Sequence, residues 1–131
     1  MKTEIIVTVI LKCKDEFLIV KRSDNDLKYP GAWEFPGGHL AFGETLKEGL
    51  KRELNEEVGF IDEFIPVITH YSDSIIEENG EIVHELEIDF YIEVAKEKLN
   101  IQLSSEHVEY KWVKKDSCYL DQYIKNKIKR I

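Results

Sequence analysis

Residues 38–60 read GHLAFGETLKEGLKRELNEEVGF, and this stretch decides how the rest of the chain is organised. Thr45 followed by Glu48 is a capping box: the hydroxyl satisfies a free N–H of the first helical turn, and the carboxylate reaches back to the cap's own N–H. Leu46, Leu50, Leu54 and Val58 then recur every four residues, an apolar stripe that runs until Gly59, which suits the left-handed residue after a helix. The spacing predicts a helix over 45–58 with a glycine loop in front of it. On that helix Glu53, Glu56 and Glu57 stand at i, i+3 and i+4, so their carboxylates crowd one face and repel. A cation or Arg52 would relieve them, and three converging carboxylates make an oxygen-rich Mg²⁺ site. The bland alternative is a solvated acidic face, the usual fate of a charge run.

Working outward, residues 4–13 and 16–22 are β-branched runs around the polar pair Lys14-Asp15, a hairpin. Pro30-Gly31 marks a turn, and residues 33–38 read as a short strand entering the glycine loop. Beyond the helix, residues 64–71 look like a strand, and 75–83 hold Asn79-Gly80, a strong hairpin signal. In the return strand Leu86, Ile88, Phe90, Ile92 and Val94 point one way, Glu85, Glu87, Asp89, Tyr91 and Glu93 the other. Residues 108–113 form a further strand, and 115–130 a basic helix with Leu120, Ile124 and Ile128 on one side. Strands grouped around one internal and one terminal helix imply an α/β (α+β) fold, a mixed sheet between helices.

Composition bounds the partners. The 131 residues fit one domain, 1–131, and 43% hydrophobic with 34% charged residues suits an ordinary globular protein. The net charge of −8 argues against long nucleic acid, which is met by clustered Lys and Arg. A polyanionic small molecule remains compatible if divalent cations stand between it and the protein's carboxylates. Cys13 and Cys118 show no metal or disulfide spacing and read as reduced packing residues. The longest apolar run, residues 5–11, is far too short to span a bilayer, so no membrane partner is expected and a cytoplasmic location is the default.

The order Gly38, five residues, Glu44, seven residues, Arg52-Glu53, an aliphatic, one residue, Glu56-Glu57, one residue, Gly59 and an apolar residue resembles the Nudix box in every position. Seven of these are a fixed Gly, Glu or Arg, for which chance agreement at one start site is roughly a few in 10⁹. Phe60 is the one departure, an aromatic where the family more often has an aliphatic residue. The resemblance implies a Nudix-type α/β/α sandwich and Mg²⁺ or Mn²⁺ bound by Glu53, Glu56 and Glu57, with the Gly37 carbonyl also near the metal. It further implies catalytic roles for Glu53 and Glu56, with Arg52 orienting a glutamate. Glu44, Gly38 and Gly59 would serve the box's structure. The family often recruits another acid from outside the box; Glu106 is the candidate here, with Glu85 and Glu87 as rivals. His39, His70, His84 and His107 share no ligand spacing and read as ordinary histidines.

Residues 29–33, 36–40 and 109–113 resemble the MutT-like triphosphate pyrophosphohydrolases, which implies a small-molecule NTP or dNTP as substrate. Arg22 would lie on the phosphate side, and Phe35 or Tyr71 would stack on a base. The proline that ADP-ribose hydrolases carry beyond the box is missing at residues 74–76, as is the tyrosine of dinucleoside polyphosphate hydrolases near Glu77 and Glu78. ADP-ribose or a nucleotide sugar is the alternative substrate. A non-catalytic nucleotide sensor is the alternative class, although such domains typically lose box residues that are intact here. The assembly is expected to be a monomer or a homodimer.

Overall fold

Strand β1 (Lys2–Cys13) is the hub of a seven-stranded mixed sheet in the computed structural model, which describes all 131 residues. It turns at Lys14 into β2 (Glu16–Arg22), the expected hairpin. One edge of β1 runs parallel to β6 (Glu81–Glu93) from Lys2 to Lys12. Its other edge changes partner: Ile6–Thr8 pair with β4 (Gly37–His39), whereas Lys12 and Cys13 pair with β2. The sheet therefore opens between β4 and β2. Strand β2 also carries β3 (Trp33–Glu34) and β7 (His107–Lys114), and β5 (Val67–Glu78) closes the far edge on β6.

The period-two alternation of β1 sorts its side chains onto two faces. Val7, Val9 and Leu11 meet Leu50, Leu54 and Val58 of helix α1 (Leu46–Val58), together with Ile88, Phe90 and Ile92 of β6. Ile10 faces the other way, joining Phe17, Ile19, Phe35 and Val113 under Leu120 and Ile124 of helix α2 (Gln122–Lys129) and its approach. The result is the expected three-layer α/β/α arrangement. Neither helix is long and apolar enough to cross a membrane.

Two expectations are corrected. Residues 64–71 and 75–78 do not belong to separate strands: β5 runs unbroken from Val67 to Glu78, accommodating a bulge between Ile68 and His70. The terminal helix begins at residue 122, not 115, because Asp121 caps it by accepting the Ile124 N–H at 2.9 Å. The polar face of β6 lies under α2, and Asp89 is only 2% exposed. Lys127 makes that tolerable. Its ammonium is 3% exposed, donates to Asp89 at 2.9 Å and Glu87 at 2.8 Å, and packs on the Tyr123 ring. Burial works to lower its pKa, but the two carboxylates hold it above the ordinary lysine value.

Candidate active site

The box is built as its sequence dictates. Thr45 accepts from the Glu48 N–H at 3.1 Å, Glu48 accepts from the Thr45 N–H, and Gly59 ends α1 at φ 66°. A Cβ on Gly59 would also lie 2.4 Å from the Asn100 carbonyl oxygen, so geometry and space both demand glycine.

The loop between β4 and α1 is tied down by Glu44. It accepts the Ala41 N–H at 2.8 Å and receives a fork from Arg52, Nε at 2.7 Å and Nη2 at 2.9 Å. The remaining nitrogen, Nη1, donates to Glu53 at 3.0 Å, while Nη2 also reaches the His39 carbonyl. Arg52 thus spends its bidentate face on Glu44 and steadies Glu53 with a single arm. These bonds hold the Glu44 carboxyl below its usual range and Arg52 above its own.

Glu53 lies buried against β4, so close that a Cβ on Gly38 would fall 2.5 Å from its Oε1. Burial raises its pKa, Arg52 opposes this, and Glu56 and Glu106 add to the rise. Glu57 is pushed up to about 7, again chiefly by burial, with Glu53 and Glu106 adding and the His107 ring and Gly37 N–H opposing. Glu56 stands more exposed, 3.5 Å from Arg52. Glu106 precedes β7, its carbonyl accepting from the Ser23 N–H, and brings a further acid toward Glu53 and Glu57. Together these residues and Gly37 form one wall of a cavity of about 1260 Å³ that runs between the sheet and α2.

A family model described as NUDIX domain matches residues 1–130. The chain belongs to the Nudix family. Among solved structures it is similar to a MutT protein from Methanosarcina mazei Go1, with 31% identity, TM-score 0.68, and 98% of this chain and 91% of that one covered. A MutT NUDIX hydrolase from Burkholderia pseudomallei is similar in fold alone, at 19% identity and TM-score 0.76 over 98% of each chain. The nucleoside triphosphatase NudI of Enterobacter sp. (strain 638) is 36% identical over 59 residues, 45% of this chain and 42% of NudI. This Nudix chain therefore spans less than half the length of that curated relative.

Outside the Nudix box, the expected substrate residues meet different fates. Arg22 lines the cavity, but its guanidinium is engaged by Glu34 and Asp26, which raise its pKa against the effect of burial. Phe35 lines the cavity but is only 3% exposed, packed in the core beneath α2. Tyr71 is 67% exposed, yet it pairs with Ile88 on the α1 side of the sheet, away from the cavity, and lies against His70. Strand parity, invisible without the register, carries Tyr71 to the face opposite the cavity, whereas Phe35 stays on the cavity side but is taken up by the core. Both rival acids line the cavity, but Glu87 is occupied by Lys127, Thr8 and Tyr123.

Two groups escaped the sequence reading. His107 is buried with Nε2 3.4 Å from Glu34 and its ring near enough to Glu57 to act on its charge. Its place directly after Glu106 was the only signal available. Tyr29, on the loop after β2, stays exposed at the cavity with Arg22 over its ring.

Proposed function

We propose that this Nudix protein is a divalent-metal-dependent pyrophosphohydrolase that converts an NTP or dNTP to the nucleoside monophosphate and pyrophosphate. The observation that carries the reading is the confinement of like charge. Glu53 and Glu57 are withdrawn from water beside Gly37 and Gly38 and face Glu106, while Arg52 is committed to Glu44 and only partly to Glu53. Carboxylates raised by burial and mutual repulsion favour a bound cation, and their all-oxygen donor set fits Mg²⁺ or Mn²⁺. Glu53, Glu56 and Glu57, with the Gly37 carbonyl and Glu106, would hold it. The bound ion supplies neutralisation of the phosphates and a more acidic water.

The chain's own groups do the rest. Arg52 fixes Glu53, which supports Glu53 as the acceptor of a proton from the attacking water, with Glu56 assisting at the cavity mouth. The water oxygen bonds to phosphorus, the bridging P–O bond breaks, and pyrophosphate leaves. The MutT-like fold and the partial likeness to a nucleoside triphosphatase support a triphosphate as substrate. A nucleotide of this kind is a cytoplasmic solute, and we place the chain there.

The test is a release assay on NTPs, dNTPs, ADP-ribose, nucleotide sugars and dinucleoside polyphosphates, with Mg²⁺, Mn²⁺ or EDTA. Pyrophosphate from a triphosphate, abolished by EDTA and reduced about 100-fold or more by Glu53→Gln, is the expected result. Mononucleotide release from ADP-ribose or a sugar nucleotide alone would overturn the triphosphate assignment. Nucleotide binding without turnover of any substrate would overturn the hydrolase reading in favour of a sensor.

A further inference from the structure

Three side chains converge at the rim of the sheet: Glu4 on β1, His39, a variable position of the Nudix box at the end of β4, and Glu85 on β6. One ligand atom of each lies within 4.8 Å of the other two. The register explains the convergence. Glu4 and Glu85 are direct partners across the parallel β1–β6 ladder, and His39 pairs with Ile6, which lies two residues along β1 from Glu4 and shares its face. All three therefore project to the cavity side.

Two carboxylates set directly opposite one another repel. The neighbouring donors serve only one of them: Lys2 meets Glu4 Oε1 at 3.2 Å, and His39 Nε2 lies 3.4 Å from Glu4 Oε2. Glu85 is left facing that pair. The donors also sit on strands, and the Arg52 bond to the His39 carbonyl fixes the backbone that carries the imidazole. One imidazole and two carboxylates, within 4.8 Å of one another and short of one positive charge, can close on a cation by side-chain rotation alone.

We propose that Glu4, His39 and Glu85 form a second divalent-cation site, one for a borderline transition ion of the Zn²⁺ class, distinct from the site of the box glutamates. An imidazole donor favours such an ion over Mg²⁺, which prefers oxygen throughout. His39 and Glu85 line the same cavity as the box glutamates, and Glu4 stands further along β1. Thr8, the partner of Gly37, lies four residues along β1 from Glu4, about 13 Å at the usual rise of a strand. An ion there would cross-link β1, β4 and β6 and stiffen the three-residue strand that carries Gly37 and Gly38 past Glu53.

The test needs no nucleotide and stands apart from the proposed hydrolysis. Zn²⁺ is titrated calorimetrically into the full chain in saturating Mg²⁺, while long-range ¹H–¹⁵N spectra follow the His39 ring nitrogens. One Zn²⁺ is expected to bind and shift His39 Nε2. Affinity should fall about tenfold or more in His39→Gln and in Glu85→Gln, and survive in the Glu53→Gln/Glu57→Gln double variant. These substitutions are away from both cores, and a thermal melt of each variant checks its fold. Absence of Zn²⁺ binding in the parent chain overturns the proposal. So does binding unchanged in His39→Gln and Glu85→Gln, which would put the ion on another donor such as the exposed Cys118. Loss of binding in the box double variant would mean that Zn²⁺ had entered the box instead.

Discussion

Replacing Glu57 by Gln is expected to stabilise the metal-free protein, and to do so only above the ordinary carboxylate range. The Glu57 carboxyl rises from 4.5 to about 7, chiefly through burial, so the folded chain holds a proton that the unfolded chain has already released. At about 1.4 kcal/mol per tenfold change in proton affinity, that amounts to about 3 kcal/mol. The sign follows from the direction of the shift. A carboxyl raised on folding contributes its full stability below pH 4.5 and loses it as pH climbs through about 7. Glutamine mimics the protonated form at every pH. The difference in stability, Glu57→Gln minus parent, should therefore be near zero at pH 4 and grow to about 3 kcal/mol by pH 8, on the order of 10 °C in Tm.

Thermal melts of both proteins in EDTA from pH 4 to 8 measure this difference, and subtraction removes the opposite trend of carboxyls lowered on folding, such as Glu44 and Glu4. A difference that is flat or falls with pH would refute the reasoning. Divalent metal should relieve the same strain in the parent, so the Mg²⁺-induced rise in Tm should be larger at pH 8 than at pH 5 and small in the variant.

Lys127→Ala would leave Asp89 and Glu87 without their cation beneath α2 and should cost about 3–5 kcal/mol at pH 7 in urea unfolding; a loss under 1 kcal/mol would mean that the triad is not needed. Gly38→Ala would drive a methyl group to 2.5 Å from Glu53 Oε1 while leaving both cores intact, so turnover should fall about 100-fold with a near-native melt, and retained kcat would show that Glu53 tolerates displacement. Thr45→Ala removes one half of the capping box and should lower stability by about 1 kcal/mol, seen as a shift in urea midpoint at constant slope.

Local chemistry was legible without coordinates. The capping box at Thr45 and Glu48, the four-residue apolar stripe, Gly59 and the Asn79-Gly80 turn depend on residues a few positions apart, and each stands where its spacing implied. The i, i+3, i+4 glutamates follow from helical geometry alone, as does their side-by-side placement with Arg52. The second β-hairpin was blurred because residues 67–78 mix polar and apolar side chains along an edge strand with a bulge, where periodicity is a weak guide.

Long-range facts were another matter. That Arg52 gives its fork to Glu44, that Phe35 turns inward and Tyr71 outward on the far face, and that Lys127 neutralises Glu87 and Asp89 across the α2 interface all depend on register and packing between distant segments. The approach of His107 to Glu57 and the meeting of Glu4, His39 and Glu85 have the same origin. The order of residues determined the helix, its caps, its carboxylate face and the family, because those depend on interactions within a turn or two. Tertiary structure alone decided which carboxylates lost their water and which cations they met, because burial and pairing belong to the space between strands, where a shift of one residue exchanges the faces.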